Sequence, residues 1–215
     1  MELSRRSFLS AVAAAAPLGR AFGGPTFRPP ALGVGCALPE SRAGFAKAVA
    51  GQDGRDILIL PGASGWDPSI VAETRGGGLV IFETGCAFTK AEAIEEQRAG
   101  LRGAFDLEIE SPVELWTEGR RPRYLHLEWP VHAHVRDFSF VVPVRGGVTV
   151  GRIGGLPVAA LQRLGAGRLL FLGSPLGPAL WSGDPQAHTW LRSVFVALPA
   201  LTCSDPSPNI LSRTA

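Results

Sequence analysis

The sequence predicts a layered α/β domain built on a mostly parallel sheet, with an antiparallel β insertion in its second half. Three observations carry this expectation. The runs Asp56-Ile57-Leu58-Ile59-Leu60, Leu79-Val80-Ile81-Phe82 and Arg168-Leu169-Leu170-Phe171-Leu172 are short and continuously apolar, the pattern of strands buried on both faces. Segments with helical spacing of apolar residues alternate with them. From Val113 to Val150 the texture changes to short β-prone stretches cut by Pro122, Pro130, Pro143 and Gly146-Gly147, which favours hairpins over further strand-helix-strand units.

Taken in order, Ala31 to Ala37 reads as a buried strand and Glu40 to Ala50 as a helix with Phe45, Ala46 and Val49 on one face. The strand at Asp56–Leu60 is stopped by Pro61-Gly62, and a short helical segment spans Ser69 to Thr74 before Gly76-Gly77-Gly78 breaks it. After the Leu79–Phe82 strand, Thr89 is placed to cap a helix, with Glu92 three residues on completing a capping box, and that helix runs to about Leu101. The β segments are Val113–Trp116, Arg123–Leu127, Phe138–Val144 and Val148–Ile153. Leu156–Leu164 reads as a helix ended by Gly165, and Pro185–Leu198 as the closing helix.

The ends of the chain have their own character. Ser4-Arg5-Arg6-Ser7-Phe8-Leu9, an Ala-rich run from Ala11 to Ala16, Arg20 and the small-residue site Ala21-Phe22-Gly23 resemble a twin-arginine signal peptide over residues 1–24, too short in its apolar part to span a bilayer. The resemblance implies recognition by the Tat translocase and export to the periplasm. Residues 25–30 have linker composition, and residues 200–215 read as a disordered tail without periodicity. Between them lies one domain, residues 31–199. The net charge of +2 gives no reason to expect a nucleic-acid or membrane-surface partner. Cys36, Cys86 and Cys203 are an odd number, so one thiol at least is left out of any internal pairing.

Two segments carry a family resemblance. Asp56-Ile57-Leu58-Ile59-Leu60-Pro61-Gly62, followed by Gly76-Gly77-Gly78-Leu79-Val80-Ile81-Phe82, is similar to class I glutamine-amidotransferase-like domains, a broad group that includes ThuA-like proteins, PfpI-type hydrolases and the biotin-protein-ligase N-terminal type. Gly165-Ala166-Gly167-Arg168-Leu169-Leu170-Phe171-Leu172-Gly173 resembles the late strand of that group. The resemblance implies a three-layer, flavodoxin-like fold. It also implies a nucleophile elbow, which falls on Glu83 or Thr84, with Cys86 two or three residues late, and a His-Pro-Glu motif where this chain reads Gly173-Ser174-Pro175-Leu176. Both departures argue against glutamine hydrolysis. The expectation is an exported module that binds a small molecule or a protein through Ser64, Trp66, Glu83, Thr84, Cys86 and Ser174, without a cofactor.

The enzymatic alternative is a hydrolase. Cys86, ahead of a helix N-terminus, would be a nucleophile activated by His126, His132 or His134, with Glu83 and Glu128 as further catalytic candidates. The bland reading makes Cys86 a packing residue or half of a disulfide with Cys36. In His126-Leu127-Glu128-Trp129-Pro130-Val131-His132-Ala133-His134, residues two apart share a strand face, pairing His126 with Glu128 and His132 with His134, and a bend at Pro130 would bring the two pairs together as a chemically sensible zinc set. The bland reading, which the expectation of no cofactor follows, makes them half-exposed side chains of an edge strand marked by Pro130.

Overall fold

The computed structural model describes residues 30–33, 35–52, 54, 56–115, 123–137 and 140–200. The twin-arginine segment, most of the linker and the tail beyond Ala200 lie outside the described residues, as do Trp116 and Pro122. The elements in chain order are β1 (Ala31–Leu32), α1 (Pro39–Val49), β2 (Ile57–Ala63), α2 (Ser69–Arg75), β3 (Leu79–Thr84), α3 (Ala91–Phe105), β4 (Glu108–Ile109), β5 (Val113–Glu114), β6 (Arg123–Leu127), β7 (Ala133–Asp137), β8 (Phe140–Val141), β9 (Val144–Arg145), β10 (Val148–Ile153), β11 (Leu156–Leu164), β12 (Gly167–Leu172), α4 (Gly177–Ser182) and α5 (Pro185–Ala200). A single 3-10 turn, Cys86–Phe88, links β3 to α3.

One eight-stranded sheet runs in the order β1-β2-β3-β12-β11-β10-β6-β7. The first four strands pair in parallel. From β12 onward every pairing is antiparallel. This corrects the three-layer, flavodoxin-like, mostly parallel reading: the sheet is mixed, and the antiparallel part is half of the main sheet rather than an insertion beside it. Small pairs β4·β9 and β5·β8 complete the β structure of the described residues.

The element that turns the architecture is β11, where the sequence reading placed a helix. Leu156–Leu164 pairs with β10 on one side and β12 on the other, so its helix-favouring Ala159-Ala160-Leu161-Gln162-Arg163 stretch is overridden by two flanking ladders. Both connections are two-residue hairpin loops. Gly154-Gly155 joins Ile153 to Leu156, and Gly165-Ala166 joins Leu164 to Gly167. Gly154 (φ 58°) and Gly165 (φ 61°) supply the positive φ at the first loop position, which an L side chain adopts only at a cost. Pro157 is tolerated because it pairs only with Arg152 of β10, beyond the first β12 pair at Ala159↔Leu172.

Other boundaries also move. The first strand is two residues long, and Cys36 makes only an isolated bridge to Ala63. Thr89 does not cap α3: its hydroxyl donates to the Cys86 carbonyl at 3.0 Å, Lys90 takes the cap position without a side-chain bond, and the helix runs on to Phe105. The Phe138–Val144 segment splits into β8 and β9, with Phe138 and Ser139 outside the described residues.

The sheet carries an apolar layer on each face. One joins Phe45 of α1, Leu180 of α4 and Trp190 of α5 with Ile59, Ile81, Leu125, Val135 and Leu170. The other joins Ile70 of α2 and Leu101 and Phe105 of α3 with Val80, Phe82, Leu169 and Phe171. Alternate residues of β3 and β12 thus feed opposite layers, which is why their sequences are apolar throughout. Each fully buried side chain of this size contributes about 1.5–3 kcal/mol.

Candidate functional site

The carboxyl ends of the parallel strands, where open α/β folds bind ligands, are where the sequence placed a pocket. β3 is buried along its whole length, including Glu83 (0% exposed) and Thr84 (2%). The Glu83 carboxylate is surrounded by donors. Gly62 N–H donates to Oε1 at 3.1 Å, and Leu176 and Gly177 N–H donate to Oε2 at 2.7 and 2.9 Å. Two of these are the otherwise unpaired N–H groups at the start of α4, so a carboxylate from the sheet caps a helix it does not belong to. The Ser41 hydroxyl of α1 faces the same carboxylate and favours its charged form, although its Oγ makes no hydrogen bond of good geometry. Burial is the larger effect and pushes the Glu83 carboxyl above its ordinary range.

Beside it, the Thr84 hydroxyl donates to Gln97 Oε1 at 2.5 Å and accepts from Cys86 N–H at 3.1 Å. Gln97 Nε2 donates to the carbonyls of Ala63 (2.8 Å) and Gly65 (3.2 Å). Cys86 is fully buried in the α2/α3 layer, and that burial pushes its thiol up, against smaller opposing effects of Thr84, its own backbone and Arg98. Cys36 is half-buried and its thiol donates to the Leu38 carbonyl at 2.8 Å. Both thiols are free, so the Cys36–Cys86 bond is not made.

Of the six residues expected to line a pocket, four, Glu83, Thr84, Cys86 and Ser174, are buried and two, Ser64 and Trp66, are half-buried. Trp66 packs between Phe82 and Phe105, with ring centroids 6.2 and 6.4 Å away. Ser64 spends its hydroxyl on the Gly35 carbonyl at 2.7 Å. Two cavities described in the structure lie elsewhere. One of about 190 Å³ sits at the opposite strand ends, lined by Asp56, Glu73 and Gly78. The other, of about 460 Å³, lies between Pro130-Val131 and the outer face of α5.

The histidines are not delivered to Cys86. His126 on β6 lies four strands from β3, about 19 Å at the usual interstrand spacing. His126 and His134 are instead direct cross-strand partners, ring centroids 4.5 Å apart. Glu128 pairs with Arg152 at 3.7 Å, and His132 is an exposed residue of the connection between β6 and β7. Among the described residues no group of three or more His, Cys, Asp or Glu is arranged to hold a metal ion. No described helix is long and apolar enough to cross a membrane.

Sequence reasoning missed Gln97, Ser41 and Gly177. Gln97 had a signal: it stands three residues after Ile94 and four before Leu101, a polar residue in an apolar helical stripe. Gly177 had none, because the need for it arises from α1. A Cβ there would collide with the Ser41 backbone.

No protein-family model and no curated protein matches the sequence. Among solved structures the chain is similar to a β-galactosidase from Rahnella sp. R3, at 14% identity and TM-score 0.52 over 76% of this chain and 27% of that one. It is also similar to a cytoplasmic protein from Salmonella typhimurium LT2, at 10% identity and TM-score 0.56 over 74% and 86%. The chain thus corresponds to about a quarter of the β-galactosidase. These likenesses show the fold alone, one shared with part of a β-galactosidase chain, and they correct the amidotransferase-like resemblance and with it the reading of an amidotransferase-like module for ligands or proteins.

Proposed function

We propose that the chain is a glycosidase-type accessory domain, serving carbohydrate processing without a hydrolytic centre of its own. The observation that carries this reading is the sealed carboxylate. Glycoside hydrolysis by the usual route needs two carboxyl groups about 5–9.5 Å apart, flanking a cleft that admits a sugar. Glu83 is fully buried, and both its oxygens are occupied by backbone donors. The likeness to only 27% of a β-galactosidase chain agrees with a part that works beside a separate catalytic unit. Cys86 offers no substitute nucleophile, since its thiol is buried, shifted away from thiolate and remote from the β6–β7 histidines.

The experiment has two arms. Purified chain is expected to give no turnover of an aryl β-galactoside above the uncatalysed rate. Tagged chain recovered from its native host is expected to bring with it β-galactosidase activity that the purified chain lacks. Turnover by the pure chain that Glu83→Gln abolishes would overturn the proposal, and so would a recovered complex devoid of glycosidase activity.

A further inference from the structure

The β6–β7 hairpin carries an arrangement that neither the fold nor the accessory reading uses. His126 and His134 face each other in register, both exposed, on the side of the hairpin opposite Leu125, Leu127, Ala133 and Val135, which are buried in the α5-side layer. The type of pair can be read from the backbone. His134 N–H points away from β6, to Gln186 Oε1 at 2.8 Å. On the other strand, Glu128 N–H points to the Val150 carbonyl of β10. His126, two residues earlier, directs its N–H the same way. The two histidines therefore form a non-hydrogen-bonded antiparallel pair, the kind in which Cα atoms lie about 4.5 Å apart and side chains approach most closely. The 4.5 Å ring separation agrees with that geometry.

The geometry points to a surface site for a divalent transition-metal ion, with His126 and His134 as its two protein ligands. Imidazole pairs suit Zn²⁺, Ni²⁺ and Cu²⁺, and water fills the remaining positions because no third ligand is grouped with the pair among the described residues. The site is prearranged. Gln186 holds the His134 backbone from α5, and β10 holds the His126 backbone through the Arg152↔His126 pairing. The charge most opposed to a cation, Arg152, is matched by Glu128 on the same face. An open, two-ligand site exchanges its ion, which separates it from a structural zinc centre with four protein ligands.

The test is titration of the purified full-length chain with Zn²⁺ alone, followed by calorimetry and by the histidine ring resonances. One saturable equivalent is expected, perturbing His126 and His134 and not His188, whose Nε2 is engaged with the Leu180 carbonyl. His126→Gln and His134→Gln are each expected to weaken binding by about tenfold or more, since even an outer-shell partner of a metal site acts on that scale. His132→Gln and Cys36→Ser should leave the affinity within about twofold, the range of ordinary context effects at an uninvolved surface position. Absence of a saturable equivalent, or binding that survives both histidine variants or follows Cys36, would overturn the assignment.

Discussion

Glu83 shows how one side chain organises its surroundings by what it accepts. Its two oxygens gather N–H groups from the β2 turn and from the start of α4, so the sheet, a loop and a helix meet at a single carboxylate. In Glu83→Gln the amide can turn its oxygen to Leu176 and Gly177, but its NH2 then confronts the Gly62 N–H, donor against donor. The lost acceptor costs about 1–3 kcal/mol. A pH dependence follows. The native carboxyl is pushed above its ordinary value by burial, so the folded state holds the proton more tightly than the unfolded chain. The stability this contributes is fully present below the unfolded value near 4.5 and is lost as pH rises through the raised native value. Urea denaturation of both proteins across that window checks it: the advantage of wild type over Glu83→Gln should shrink with rising pH, and an advantage that grows would show the carboxylate to be stabilised as the anion.

At the scale of elements, the parallel strands were legible because β2, β3 and β12 are apolar in unbroken runs, and burial on both faces writes that pattern directly into the residues. β11 was not legible, since Ala159 to Arg163 are good helix formers and the ladders that hold them extended come from distant segments. Its local signal lay in the turns, Gly154-Gly155 and Gly165-Ala166, two residues each between apolar flanks. The candidate site was legible as a place and not as a function: Glu83, Thr84 and Cys86 do meet at the strand end, but that their partners would be Gly62, Gln97 and Gly177 depended on packing. The turn assignment has a test. Gly165 has φ 61° and a Cβ there would lie 3.1 Å from the Arg75 carbonyl oxygen, whereas Gly155 has open space. Gly165→Ala should cost roughly 1–2 kcal/mol, the scale of a left-handed L residue. Gly155→Ala should stay within about 0.5 kcal/mol. Equal denaturation midpoints for the two variants would refute this account of the β11–β12 hairpin.

For the molecule as a whole, the question is whether the parallel and antiparallel halves of the sheet form one unit or two. β12 stands at the junction, parallel to β3 and antiparallel to β11. Leu170 faces the layer shared by α1, α4 and α5, while Leu169 and Phe171 face the layer under α2 and α3. The α1-side layer itself spans the junction, from Ile59 and Ile81 in the parallel half to Leu125, Val135 and Val150 in the antiparallel half. Neither half keeps its apolar face covered if the other opens, so the two should unfold together. Leu170→Ala deletes a fully buried side chain at that junction and should cost about 2–5 kcal/mol. The informative measurement is native-state hydrogen exchange, which resolves where the loss is felt. Slowest-exchanging amides of β2 and β3 and those of β10 and β11 should lose protection by the same free energy. A loss confined to one side would mean that the eight strands are two cooperative units joined at β12 rather than a single structural body.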